Sequence, residues 1–155
     1  VAPMDGLKIN ADYHSADGQT TTAVQKSESG NVGAQYALGN FKVGYNKGHY
    51  AVGLANKNAA VSKYENTSYG IEFAVNDSLS ISYNEEKSEA FTDVAIASGA
   101  ASGTKTSVES EMEVMQVAYI FGGATLGVHV ADVGNADYTA NKDEKRTIFT
   151  IAMDF

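Results

Sequence analysis

Apolar and polar residues alternate one by one in eight separate stretches of the chain. A period of two puts successive side chains on opposite faces of extended backbone, so each stretch reads as a strand with one greasy face and one wet face. The last stretch is the sharpest. In Lys145-Arg146-Thr147-Ile148-Phe149-Thr150-Ile151-Ala152-Met153-Asp154-Phe155, Phe149, Ile151, Met153 and Phe155 share one face, and Arg146, Ile148, Thr150, Ala152 and Asp154 take the other. Together the alternating stretches predict strands near 7–14, 32–39, 41–46, 68–75, 79–84, 114–121, 124–131 and 146–155. Helical spacing is sustained nowhere; Asp93 to Ala97 is at most a turn. The chain is therefore predicted to be all-β, a single antiparallel segment over 1–155.

The connections alternate as regularly as the residues. Strands two and three meet through Gly39-Asn40, four and five through Asn76-Asp77, and six and seven through Gly122-Gly123, all residues that tolerate the positive φ of tight hairpins. The other connections are long and charged: Ser15 to Asn31, Lys47 to Thr67, Glu85 to Glu111 and Asp132 to Lys145. Short turns then fall at one end of the strands and long loops at the other. That is the plan of a transmembrane up-and-down β-barrel, with periplasmic turns and extracellular loops. Tyr13, Tyr45, Tyr50, Tyr69, Tyr83, Phe41, Phe121 and Phe155 lie near strand ends, where interfacial girdles of aromatics are expected. A soluble β-sandwich also alternates, but its outward faces carry more Lys and Glu than Gly33-Gln35-Ala37-Gly39 or Gly70-Glu72-Ala74.

Composition narrows the function classes. There is no run of 18 or more apolar residues, so no helix crosses a membrane, which says nothing against a barrel. The absence of cysteine excludes a disulfide scaffold, a cysteine zinc site and a thiol nucleophile. A net charge of -8 speaks against nucleic acid as a partner. No signal peptide precedes Val1, as expected of a mature chain or a fragment.

The phrase Met4-Asp5-Gly6-Leu7-Lys8-Ile9-Asn10-Ala11-Asp12-Tyr13, the hairpin from Val117 to Val128 and the closing aromatic strand together resemble a Gram-negative trimeric diffusion porin. The closing strand itself resembles the terminal assembly signal of outer-membrane barrels, with Phe149, Ile151, Met153 and Phe155 as its apolar residues. Porins of this kind have sixteen strands, so eight match one half, and the chain resembles the C-terminal half. The resemblance implies passive diffusion of small hydrophilic solutes and ions, a homotrimer, contact with outer-membrane lipid and lipopolysaccharide, delivery by the barrel assembly machinery, and no cofactor. It also implies that the inward third loop, which narrows such pores, belongs to the other half. The alternative is a complete eight-stranded barrel serving as an anchor or adhesin. Such a barrel must fill its lumen with side chains, and Gly33, Ala37, Gly39, Gly44, Gly70, Ala74, Gly127, Ala131 and Ala152 lack the bulk.

Catalytic constellations are absent from the sequence. His14, His49 and His129 fall on separate strands or loops, and there is no Gly-x-Ser-x-Gly elbow. Gly99 to Lys105 has the wrong spacing for a phosphate loop and reads as a flexible connection. Asp132, Asp137, Asp143 and Glu144 do not follow a calcium-loop pattern and read as a solvated acidic loop. The candidate functional residues are instead those of the polar face: Lys8, Asn10, Asp12, His14, Gln35, Lys42, Glu72, Gln116, His129 and Arg146. As a pore lining they tune passage by charge and by hydrogen bonds offered in place of water.

Overall fold

Residues 4–16, 26–53, 60–93 and 105–153 are described by the computed structural model, and they form one antiparallel eight-stranded sheet in simple up-and-down order. The strands are β1 (Leu7–Ala16), β2 (Ser27–Leu38), β3 (Phe41–Ala51), β4 (Ala60–Asn76), β5 (Leu79–Asp93), β6 (Lys105–Phe121), β7 (Ala124–Gly134) and β8 (Glu144–Met153). Phe155, the last residue of the expected assembly signal, lies outside the described residues, as do Asp154 and most of the Asp93 to Ala97 and Gly99 to Lys105 stretches.

At the short-turn end the strand limits fall within a residue of those predicted, because a glycine or asparagine marks each reversal. Gly122 and Gly123 both adopt positive φ, 55° and 84°, as a twist-matched two-residue hairpin requires. The β4–β5 turn sits one residue later than expected. Asn76 ends its strand and caps the turn, its Oδ1 accepting the N–H groups of Ser78 at 2.9 Å and Leu79 at 3.0 Å. Neighbouring turns are also laced sideways: Ala37 donates to the Gly6 carbonyl at 2.9 Å, Ala74 to that of Asn40 at 2.9 Å, and Ile120 to that of Ser78 at 2.8 Å.

At the other end the strands outrun their predicted limits. β2 begins at Ser27 rather than near 32, β4 at Ala60 rather than 68, and β6 at Lys105 rather than 114, while β3, β5 and β7 run on to Ala51, Asp93 and Gly134. Much of what reads as loop is sheet. Alternation is lost there because both faces are polar, and the ladder that joins the strands carries charge pairs across it. Lys87 lies directly opposite Glu111 with Nζ 2.8 Å from the carboxylate, and Lys145 opposite Asp132 at the same distance.

The sheet is open. β1 and β8 are its two edges, and among the described residues no ladder joins them, so the closed eight-stranded alternative is not what the chain forms here.

Register assigns the ladder-paired residues of each strand to a face. One row runs Leu7, Tyr36, Val43, Ile71, Tyr83, Met115, Val130, Thr147 across all eight strands, and the next row toward the short turns runs Phe41, Phe73, Ile81, Val117, Val128, Phe149. This apolar face is the exposed one: Phe149 is 75% exposed, Ile151 66% and Met153 57%. Among the described residues the only buried hydrophobics are three alanines, Ala51, Ala90 and Ala136. A water-soluble fold of this size buries its large apolar side chains; this one turns them outward.

Candidate functional site

The polar face is half-buried on the middle strands, at Lys42, Asn46, Ser68 and Glu72, and exposed on β1, at Lys8, Asn10, Asp12 and His14. A single cavity of about 710 Å³ lies along it, lined by residues from six neighbouring strands, from Asn10 on β1 to Gln116 on β6. All ten predicted polar-face residues share this face, since the ladder partners of each are partners or same-face neighbours of the others. The structure brings five of them, Asn10, Gln35, Lys42, Glu72 and Gln116, to the one cavity. Lys42 and Glu72 pair across β3 and β4 at 2.7 Å, so the best-placed cation and anion of the wall neutralise each other. His129 is opposite Gln116 at the edge of the trough, and Arg146 turns to Glu144 on its own strand. Lys8, Asp12 and His14 line β1 on the same face, opposite Gln35, Asn31 and Ser29, outside the cavity.

Glycines keep this face open. A side chain at Gly33 would meet the amide oxygens of Asn10 at 2.7 Å and Asn46 at 2.8 Å. Gly33 therefore seats polar groups from both flanking strands, and Gly70 seats the Asn84 amide from one.

Sequence reasoning missed the element that lies on the polar face beyond the cavity, toward the long-loop end. The β7–β8 connection, expected to stand off the sheet as an acidic loop, folds across the polar face. The Asn135 side-chain amide donates to the Glu109 carbonyl on β6 at 2.8 Å. Beyond β6, the hydroxyls of Tyr138 and Ser88 on β5 share a hydrogen bond of 2.6 Å, and Ser88 donates in turn to Asn66 on β4. The Tyr138 ring lies 5.4 Å from that of Tyr64, also on β4, which stacks at 6.5 Å on Tyr50 of β3. With strands ~4.8 Å apart, reaching from β7 to β4 spans ~14 Å of wall. Tyr50 accordingly belongs to this inner cluster, not to the outer girdle expected of it.

The loop is tightly determined. Asn135, Asp137, Tyr138 and Asn141 all have positive φ, between 49° and 62°. Asn and Asp visit this region readily; tyrosine does not, and holding it there costs ~1–3 kcal/mol. Five hydrogen bonds to backbone N–H groups close the loop on itself: Ala136 N–H to the Lys142 carbonyl (2.7 Å), Thr139 N–H to that of Ala136 (3.1 Å), Lys142 N–H to that of Thr139 (3.1 Å), Asn141 N–H to Asn135 Oδ1 (2.9 Å) and Asn135 N–H to Asp143 Oδ1 (3.2 Å). Asp137 and Lys142 form an ion pair. The Lys142 ammonium holds the Asp137 carboxyl below the usual aspartate range, and the carboxylate raises Lys142 in return. The acids proposed for the solvated loop are thus engaged by neighbours: Asp132 by Lys145, Asp137 by Lys142, Asp143 by the Asn135 backbone and Glu144 by Arg146.

The outward face has an edge of its own. On β1 its apolar residues run from Leu7 to Tyr13, on β3 from Phe41 to Tyr45, on β5 from Leu79 to Tyr83, on β7 from Ala124 to Val130, and on β8 from Phe149 to Met153. Measured against the ladder rows, the band slides toward the short turns by about one residue per strand. Tyr13, Tyr45, Tyr69 and Tyr83 mark its descending upper border, and immediately above it stand Lys47, Glu85, Glu113, Asp132 and Lys145. No protein-family model matches the chain, and neither a curated protein nor a solved structure does.

Proposed function

We propose that this sheet is part of the wall of a bacterial outer-membrane pore, its apolar face against lipid and its polar face lining a water-filled path for passive diffusion of small hydrophilic solutes and ions. The observation that carries this is the oblique apolar band. A slide of one residue, ~3.3 Å, per strand spacing of ~4.8 Å inclines the band by ~35° to the rows, so the band is level when the strands tilt by that angle. Strands of membrane barrels tilt by ~35–45°. Three or four successive outward residues occupy five to seven positions, ~17–23 Å along the strand and ~14–19 Å once tilted, which fits inside the ~25 Å apolar band of such barrels.

In hydrocarbon neither β1 nor β8 can leave its backbone groups unpaired. The assembled protein therefore completes the wall with further strands, as the C-terminal half of a sixteen-stranded trimeric porin does, with outer-membrane lipid and lipopolysaccharide around it and the barrel assembly machinery inserting it. No step in this function breaks a covalent bond, and none of the ten polar-face residues is assigned a catalytic role. Planar-bilayer recording of the protein with its wall completed tests it: stepwise ion currents are expected, and a folded, inserted protein that passes none would instead be an anchor or adhesin.

A further inference from the structure

The β7–β8 loop is the one described connection that leaves the end of the sheet and lies on the polar face. Its tip residue is a tyrosine in a left-handed conformation, an arrangement that persists only where the surroundings over-determine it. Here they do. Asn135 is tied to β6, the Tyr138 hydroxyl to Ser88 on β5, and the Tyr138 ring to Tyr64 on β4. A tyrosine serving only to close the turn needs none of these three attachments. A glycine or asparagine would close it with less strain.

We propose that the Asn135–Asp143 loop narrows the loop-side mouth of the pore, a narrowing separate from the inward third loop that the resemblance assigns to the other half, and that Tyr138 is the residue of this loop that restricts the size of solute admitted there. The inference rests on the pore function proposed above. Ser88, Asn66 and Tyr64 are positioning residues: they hold Tyr138 against the polar face on the loop side of the cavity and do not themselves narrow the pore. The Asp137–Lys142 pair leaves the loop without a strong net charge, so the filter discriminates by size more than by the sign of a solute's charge.

Two measurements on the reconstituted protein separate the loop's position from the pore itself. The chain has no cysteine, so the double variant Ser88→Cys/Tyr138→Cys can be bridged by a short bis-maleimide and the intramolecular link read by mass spectrometry. An efficient link is expected; failure to link in folded protein overturns the inward placement. In bilayers, Tyr138→Gly removes the ring while suiting the positive φ, and should raise single-channel conductance by roughly 1.5- to 2-fold and admit larger polyethylene glycols. Its circular dichroism should remain that of the parent. Unchanged conductance and exclusion size, with the link formed, overturn the constriction. If neither parent nor variant carries current, the pore function fails and the filter with it, whatever the link shows.

Discussion

At the scale of single residues, face decides what a substitution does. Phe73 stacks on Phe41 at 4.5 Å within the apolar band, and its chain neighbour Glu72 meets Lys42 in the trough. Phe73→Arg should cost ~2–4 kcal/mol of folded stability in lipid bilayers, while Glu72→Arg, facing water, should cost much less. Urea titration in lipid vesicles reads both, and equal penalties would contradict the assigned faces. Ser88 is a second test. Ser88→Ala removes the shared hydroxyl bond to Tyr138, and about 1 kcal/mol of loop stability should go with it, seen as faster proteolysis within Asn135–Asp143.

The Asp137–Lys142 pair fixes the sign of the pH response. Asp137 sits below its usual value, so its contribution is present above about pH 4 and lost only as pH falls through the lowered value. Lys142 is raised, so its contribution is complete below about pH 10 and lost only above that. The loop's protease resistance should therefore be flat between those limits, and a transition near neutral pH would show that something other than this pair governs it.

At the scale of elements, the legible part of the fold is the part where the two faces differ in polarity. Leu7 to Tyr13 or Tyr69 to Val75 announce themselves because every second residue is apolar. Lys47 to Ala51 and Lys87 to Asp93 do not, because Lys47, His49, Lys87 and Glu89 put polar groups on the face that is apolar elsewhere and only the opposing strand shows them to be paired. The turns were equally plain where glycine supplies positive φ. Gly122 and Gly123 test that: replacing both by alanine puts two side chains into left-handed backbone at roughly 1–2 kcal/mol each, lowering the midpoint of unfolding, whereas Asn-Gly should be tolerated. The inward loop was hidden for a different reason. Asn135, Asp137 and Asn141 signal turns, but nothing local tells that Tyr138 will find Ser88, fifty positions earlier in the chain.

For the whole molecule, the distribution of polarity is inverted relative to a soluble β-sheet: alternation that would ordinarily bury its apolar side instead exposes it along a band oblique to the strands. All ten residues foreseen for the polar face lie on it, yet only five meet in one cavity, because their number follows from alternation while their convergence depends on how the sheet curls. The curl is set by the pairing of distant strands, which no local pattern records. The open edges at β1 and β8 are the remaining global feature; under the proposed pore function they are the edges that further strands would pair.

The most direct measurement is a single-cysteine scan of the cysteine-free chain in lipid vesicles, with a membrane-impermeant thiol reagent that reaches water-exposed sites only. On β4 the account predicts labelling at Ser68, Gly70 and Glu72 and protection at Tyr69, Ile71, Phe73 and Val75. The protected window should also slide along the ladder, covering Leu7 to Tyr13 on β1 but Ala124 to Val130 on β7. Labelling without a two-residue period, or a protected window that stays in the same ladder rows from β1 to β8, would contradict it.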